Sequence, residues 1–215
     1  MKLIKPSIQF LWMTNNPLQT IEKIGRTCYK SENKITPQSA SGFVKMLIEK
    51  GHEAMIEHAS ISYRVICDRG VTHEIVRHRL FSYAQESTRY CNYNGRVTYV
   101  LPPWVELDEG EYLSSDAAKD VVTENWLDLL LRAEESYTAL TNYGWVPQQS
   151  RSVLPNALKT EIVITGNLRE WHHFFRLRTS KTAHPQMQEI ANMLLKDVRI
   201  RVPVIFENLT EGPYV

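Results

Sequence analysis

Arg77-His78-Arg79 opens a fourteen-residue segment that continues through Gln85, Glu86, Ser87, Thr88 and Arg89 to Tyr90. Three basic side chains in succession repel one another unless something anionic lies among them. Phosphate is the natural candidate, because a guanidinium fork presents paired donors to paired oxygens. A second basic block runs from Asn167 to Arg178. On a helix, Arg169, His173 and Arg176 follow steps of four and three residues and share a face. Trp171, Phe174 and Phe175 between them read as core. Either block alone also fits a solvated basic surface. Two of them, about 90 residues apart and each mixed with aromatic and small polar groups, suit a ligand carrying several phosphates and flat rings.

Other chemistries fit poorly. His73-Glu74-Ile75-Val76-Arg77-His78 is one residue longer than H-E-x-x-H, and a five-residue step leaves the two imidazoles about 140° apart on a helix. His52 to His58 matches neither zinc-protease spacing, so no metal is expected. There is no G-x-S-x-G elbow, and Ser87 lies among cations rather than beside a base. Cys28, Cys67 and Cys91 are an odd set without C-x-x-C spacing, which fits inert thiols rather than a disulfide framework or a zinc ribbon.

The elements that must hold these groups can be read in outline. Ser7–Met13 reads as a strand, Asn16-Pro17 starts a helix to about Lys30, and Thr36-Pro37 starts another to about Lys50. Ile61–Cys67 alternates as a strand does. Asp68-Arg69-Gly70 then turns into a short helix from Val71 to about Arg77, which delivers the first basic block. Val97–Leu101 and Glu161–Thr165 read as strands, Leu168–Arg178 and Pro185–Arg201 as helices. Asp116–Asn142 is the clearest helix, with Val122, Trp126, Leu129, Leu130, Ala133, Tyr137 and Leu140 expected to face the core. The pattern predicts an α+β fold in one domain over residues 1–215, a central, mostly antiparallel sheet flanked by helices. No G-x-G-x-x-G follows a strand, which argues against a dinucleotide-binding domain of the doubly wound type.

At 215 residues, 43% apolar and 23% charged, the chain has the composition of a soluble globular protein. The net charge is +1, yet residues 106–135 carry ten carboxylates against Lys119 and Arg132, while bases collect in 77–96 and 169–181. That asymmetry favours a local anion site over an extended nucleic-acid surface. The start of the chain lacks the apolar stretch of a secretion signal and no run is long enough to span a bilayer, so a cytoplasmic setting is expected.

The string R-H-R, seven residues, S from Arg77 to Ser87 resembles the signature of the flavin-dependent thymidylate synthases. Gly51-His52-Glu53 with Glu57-His58 resembles that family's G-H-E-x-x-x-E-H segment. Arg151 ahead of Val153-Leu154-Pro155, Asn167-x-Arg169 with His173, Leu177-Arg178, and His184 with Gln186 follow in the family's order. The likeness covers roughly residues 50–190. Three features depart from it: Glu74 where many members carry Gln, Ala54 where Ser or Thr is common, and a slightly longer spacing from Arg178 to His184.

The resemblance implies reductive methylation of dUMP to dTMP, with 5,10-methylenetetrahydrofolate as carbon donor and FAD, reduced by NADPH, as hydride source. It implies a homotetramer with active sites shared between subunits. Arg77, His78 and Arg79 would hold FAD, joined by Asn167, Leu168, Arg169 and His173 from other subunits, with Gln85 between flavin and nucleotide. Glu74, Arg77, Gln85, Glu86, Ser87, Thr88 and Arg89 would line the dUMP site, completed by Arg151 and by Arg178 as the activating residue. On the cations alone, a non-catalytic nucleotide- or RNA-binding module remains open, as does a flavin reductase-like protein without methyl transfer.

Overall fold

Lys159–Asn167 alternates buried and half-buried side chains over nine residues, the pattern of a strand with one face on a core. It pairs antiparallel with Ser60–Asp68 along its whole length, and with Ser82–Gln85 on its other side. In the computed structural model, which describes residues 1–213, the elements in chain order are β1 (Lys2–Ile4), β2 (Ser7–Met13), α1 (Pro17–Thr27), α2 (Ser39–Glu49), β3 (Ser60–Asp68), α3 (Arg69–Ile75), β4 (Ser82–Gln85), β5 (Thr98–Val100), β6 (Gly110–Glu111), α4 (Val121–Asn142), α5 (Pro147–Ser150), β7 (Lys159–Asn167), α6 (Leu168–Arg178), α7 (Pro185–Arg201) and α8 (Pro203–Phe206). The chain is an α+β domain with antiparallel pairing in its larger sheet, ordered β2-β3-β7-β4. No helix among the described residues is long and apolar enough to cross a membrane.

The single central sheet expected from the sequence is two sheets. A second one, β5-β1-β6, joins β1 to β5 in parallel and to β6 antiparallel. Strands of two or three residues are too short to show alternation, so pairing, not local pattern, defines them. The N-terminal ammonium anchors this sheet, 2.6 Å from Glu134 on α4, while the other carboxylate oxygen of Glu134 accepts from Val97 N at 2.8 Å.

Each sheet has its own core. Between α6 and the larger sheet lies an aromatic cluster of Tyr63, Phe81, Trp171, Phe174 and Phe175. The Trp171 indole N–H donates to Ile61 O at 3.1 Å, so the cluster buries no orphaned donor there. The smaller core packs Leu3, Val97, Tyr99 and Leu101 against Leu127, Leu130 and Tyr137 of α4. The stripe expected on α4 is therefore rotated: Leu130, Ala133 and Tyr137 are buried, but Val122 is 74% and Leu129 58% exposed, and Leu127 takes the inward position instead. That helix carries apolar side chains on more than one face, and periodicity alone does not say which face meets the core. Its N-terminus starts five residues later than expected because Asp120 caps it, accepting from Val122 N and Thr123 N at 2.9 Å.

Gly166, on the buried side of β7, controls how closely the first basic segment approaches the sheet. A Cβ there would lie 2.0 Å from the Phe81 ring. Gly166→Ala should cost about 1–3 kcal/mol in denaturant unfolding by overpacking, and Phe81→Leu in the same chain should recover part of the loss. An unchanged unfolding midpoint in the single variant would contradict this packing.

Candidate active site

The first basic segment leaves α3 in a tight turn. The Asp68 side chain caps that helix, accepting from Val71 N at 2.7 Å. Beyond its end, His78 N donates to Ile75 O at 3.1 Å and Phe81 N to His78 O at 3.2 Å. The Tyr83 hydroxyl lies 2.6 Å from Ile75 O and 2.8 Å from His78 O, so one proton ties β4 to both carbonyls. Wound this way, the turn sends His78 inward, 5% exposed, and leaves Arg77 and Arg79 exposed on either side.

α6 supplies the opposite wall. The Asn167 side chain caps it by accepting from Glu170 N at 2.8 Å. Leu168, Trp171, Phe174 and Phe175 face the core, and Arg169, His173 and Arg176 face out, as the spacing predicted. Glu170, Phe174 and Arg178 stand at successive four-residue steps, and the His78 ring lies against all three. Its Nδ1 is 3.5 Å from Glu170, its ring centroid is 4.9 Å from that of Phe174, and its Nε2 accepts from Arg178 Nε at 2.9 Å. Arg178 also donates through Nη1 to Glu74 Oε2 at 2.6 Å and through Nη2 to Glu74 O at 3.1 Å.

This geometry sets the protonation states. Because Nε2 accepts from an arginine, the imidazole is neutral and carries its proton on Nδ1, toward Glu170. Burial, with Arg178 and His173 nearby, lowers the His78 pKa to about 4, while burial raises that of Glu170. The Glu74 carboxylate is compensated by Arg178 and so does not repel an anionic ligand as an unpaired acid would.

The remaining residues of the expected site fall into two groups. Glu86 is held by Tyr93 (2.6 Å) and Lys159 (2.9 Å), Ser87 Oγ accepts from Arg89 N at 3.3 Å, and buried Thr88 accepts from Arg151 Nη1 at 3.1 Å. Gln85 donates to Thr72 (3.0 Å) and Thr160 (3.3 Å), which leaves its amide oxygen open. The second group borders a cavity of about 480 Å³ lined by Leu80, Asn167, Arg169, His173 and Arg176, among others. There Arg169 is paired with Glu53 (3.4 Å) and Glu57. Leu168 is fully buried and its N–H donates to Ala59 O, so its side chain faces the core, not the cavity. Sequence reasoning did not single out Glu170, Lys159 or Tyr93. The i, i+4, i+8 spacing of Glu170, Phe174 and Arg178 was the one available signal, and it has meaning only once His78 is known to lie across it.

An NMR titration of the histidine rings checks the buried imidazole. His78 should remain neutral, protonated on Nδ1, from pH 8 down to pH 5, with a midpoint near pH 4. Since its pKa is depressed on folding, its contribution lowers stability as pH falls from about 6.5 toward about 4, while the raised Glu170 opposes that trend. A midpoint near 6.5, or a proton on Nε2, would contradict the assigned geometry.

Residues 9–204 match the family described as thymidylate synthase complementing protein. Among curated relatives, the flavin-dependent thymidylate synthase of Mycobacterium avium is 37% identical over 194 residues, 86% of this chain and 77% of that one. That of Mycobacterium marinum is 36% identical over 193 residues with the same coverage. Among solved structures, a UMP/dUMP methylase, PolB from Streptomyces cacaoi, bound with 5-Br dUMP, superposes with a TM-score of 0.77 over 96% of each chain at 23% identity, a likeness of fold. With the R-H-R turn, the α6 wall and a match over nearly the whole chain, the protein belongs to the flavin-dependent thymidylate synthase family.

Proposed function

We propose that the chain methylates dUMP to dTMP, taking the carbon from 5,10-methylenetetrahydrofolate and releasing tetrahydrofolate. The observation that carries this reading is the fixed guanidinium of Arg178, with 19% side-chain exposure, at the junction of the R-H-R turn and α6. Of its five N–H donors, three are spent on His78 and Glu74, which leaves two for the edge of a pyrimidine. Aimed at O2 and N3, they stabilise negative charge on the ring and so favour attack from C5 on the one-carbon unit. Because Arg178 is held beforehand, little reorganisation is required when that charge develops.

The donor set suits a flavin dinucleotide. Arg77 and Arg79 are exposed, and the ion pairs nearby engage Arg169 and Arg178 instead. The Asn167 amide N–H₂ and His173 border the 480 Å³ cavity beside exposed Leu80. Arg77 and Arg79 would hold FAD from one side and Asn167, Arg169 and His173 from the other, with His78, whose ring is buried against α6, and Leu168 contributing only backbone. When bound there and reduced by NADPH, FAD would supply the hydride that completes the methyl group. On the nucleotide side, Gln85, Glu86, Ser87, Thr88, Arg89 and Arg151 orient dUMP, with Lys159 neutralising Glu86. A homotetramer with shared sites accords with the exposed apolar groups Val121, Val122 and Leu129 on α4, and Tyr143, Trp145 and Val146 after it.

The test is a visible spectrum of the purified protein with FAD, followed anaerobically. NADPH should bleach the flavin, and dUMP with methylenetetrahydrofolate should restore its colour as dTMP forms. Absence of flavin binding at excess FAD would overturn the reading in favour of a polyanion-binding module with salt-sensitive affinity. NADPH oxidation without dTMP would favour a reductase. Arg178→Ala should abolish dTMP formation, by a hundredfold or more, while the chain still folds; near-normal turnover would remove Arg178 from its role.

A further inference from the structure

α7 presents two buried amides on one face. Gln188 and Asn192 stand four residues apart on that helix and are 2% and 1% exposed. An apolar side chain would pack there at no polar cost, so two amides in succession point to specific partners. Gln188 Nε2 donates to Ser180 O and, at 2.9 Å, to Ala183 O, even though its Oε1 is left buried without a partner among the described residues. Asn192 makes a reciprocal pair with Gly212. Its Nδ2 donates to Gly212 O at 2.8 Å, and its Oδ1 accepts from Gly212 N at 3.0 Å.

Both amides act on one place. Ser180 and Ala183 belong to the connection between α6 and α7, residues 179–184, which contains neither helix nor strand and whose length departs from the family's pattern. The segment around Gly212 lies across the start of that connection. A Cβ on Gly212 would be 1.8 Å from Thr179 O and 2.8 Å from Thr179 C, an approach open to glycine alone. Upstream, Leu209 packs against the core of the larger sheet, and its N–H donates to Phe206 O at 3.2 Å. Thr179 directly follows Arg178, the last residue of α6. The last turn of a helix lacks its full set of intrahelical bonds and frays unless something holds it. His78 and Glu74 fix the guanidinium of Arg178, but they hold only the far end of a flexible stem.

We propose that residues 209–212 form a strap which, clasped by Asn192, fixes the backbone end of Arg178, so that Asn192 and Gly212 are positioning residues for that guanidinium. Gln188 holds the rest of the connection from the inner side. With both ends of the arginine held, the side chain has little rotamer freedom left to lose when substrate binds. The consequence for catalysis rests on the dUMP reading above; the strap itself does not.

Gly212→Ala in the full-length chain tests the strap, because a methyl group cannot be accommodated against Thr179 O and the segment must lift away. Hydrogen–deuterium exchange read by mass spectrometry should show the amides of residues 178–183 exchanging about tenfold faster, with those of α4, β3 and β7 unchanged. In assays of dTMP formation, kcat should fall about tenfold while KM for dUMP stays within about twofold, as for an interaction misplaced in the transition state. Asn192→Ala opens the same clasp from the other side and should give the same two changes, and the two substitutions together should cost about as much as either alone. Unchanged exchange at residues 178–183 in both variants would overturn the strap, and faster exchange there with an unchanged kcat would overturn its link to Arg178. Exchange raised throughout the chain would assign both residues to general stability and likewise reject the proposal. Faster exchange confined to residues 178–183, in a protein whose unaltered form makes no dTMP, would uphold the strap and reject the reaction it serves.

Discussion

One imidazole laid along one stripe of a helix holds the site together. His78 meets Glu170 through its Nδ1, Phe174 ring to ring and Arg178 through its Nε2, residues four apart on α6. This contact joins the R-H-R turn to the far wall of the site. It works only if the imidazole is neutral and of one tautomer, because a protonated ring would present Nε2–H to a guanidinium. Burial provides the first condition and the pairing of donor with acceptor the second.

Other features of the fold serve that contact. Phe81 approaches β7 at the one position where a glycine admits its ring, and the Tyr83 hydroxyl holds the two carbonyls that shape the turn. Glu74 gives Arg178 a counter-charge as well as a backbone acceptor. The cations thus divide into two classes. Arg178 is fixed by the protein's own groups, whereas Arg77 and Arg79 face solvent. The first arrangement suits polarising a ring, the second holding anions.

Much of this was legible in the sequence where the signal is local. The outward and inward faces of α6 follow from the spacing of Arg169, His173 and Arg176 against Trp171, Phe174 and Phe175. The turn after Asp68 and the antiparallel sheet follow from capping and alternation. What could not be read is long-range. Glu170 gains its meaning from a histidine 92 positions earlier, and Lys159 from a glutamate 73 positions earlier. The three-residue β1 exists because β5 and β6 flank it. On α4 the periodicity was real, but it described two apolar faces, and only the packing of Leu127, Leu130 and Tyr137 shows which is inside.

The proposed catalysis depends on Arg178 being placed by Glu74, and a double-mutant cycle on the specificity constant for dUMP measures that dependence directly. Glu74→Ala and Arg178→Lys should each be damaging, and together far less than the product of the two, with a coupling of about 1–3 kcal/mol. Losses that simply multiply would mean that the two residues act independently, and that the clamp seen in the structure does not operate in catalysis.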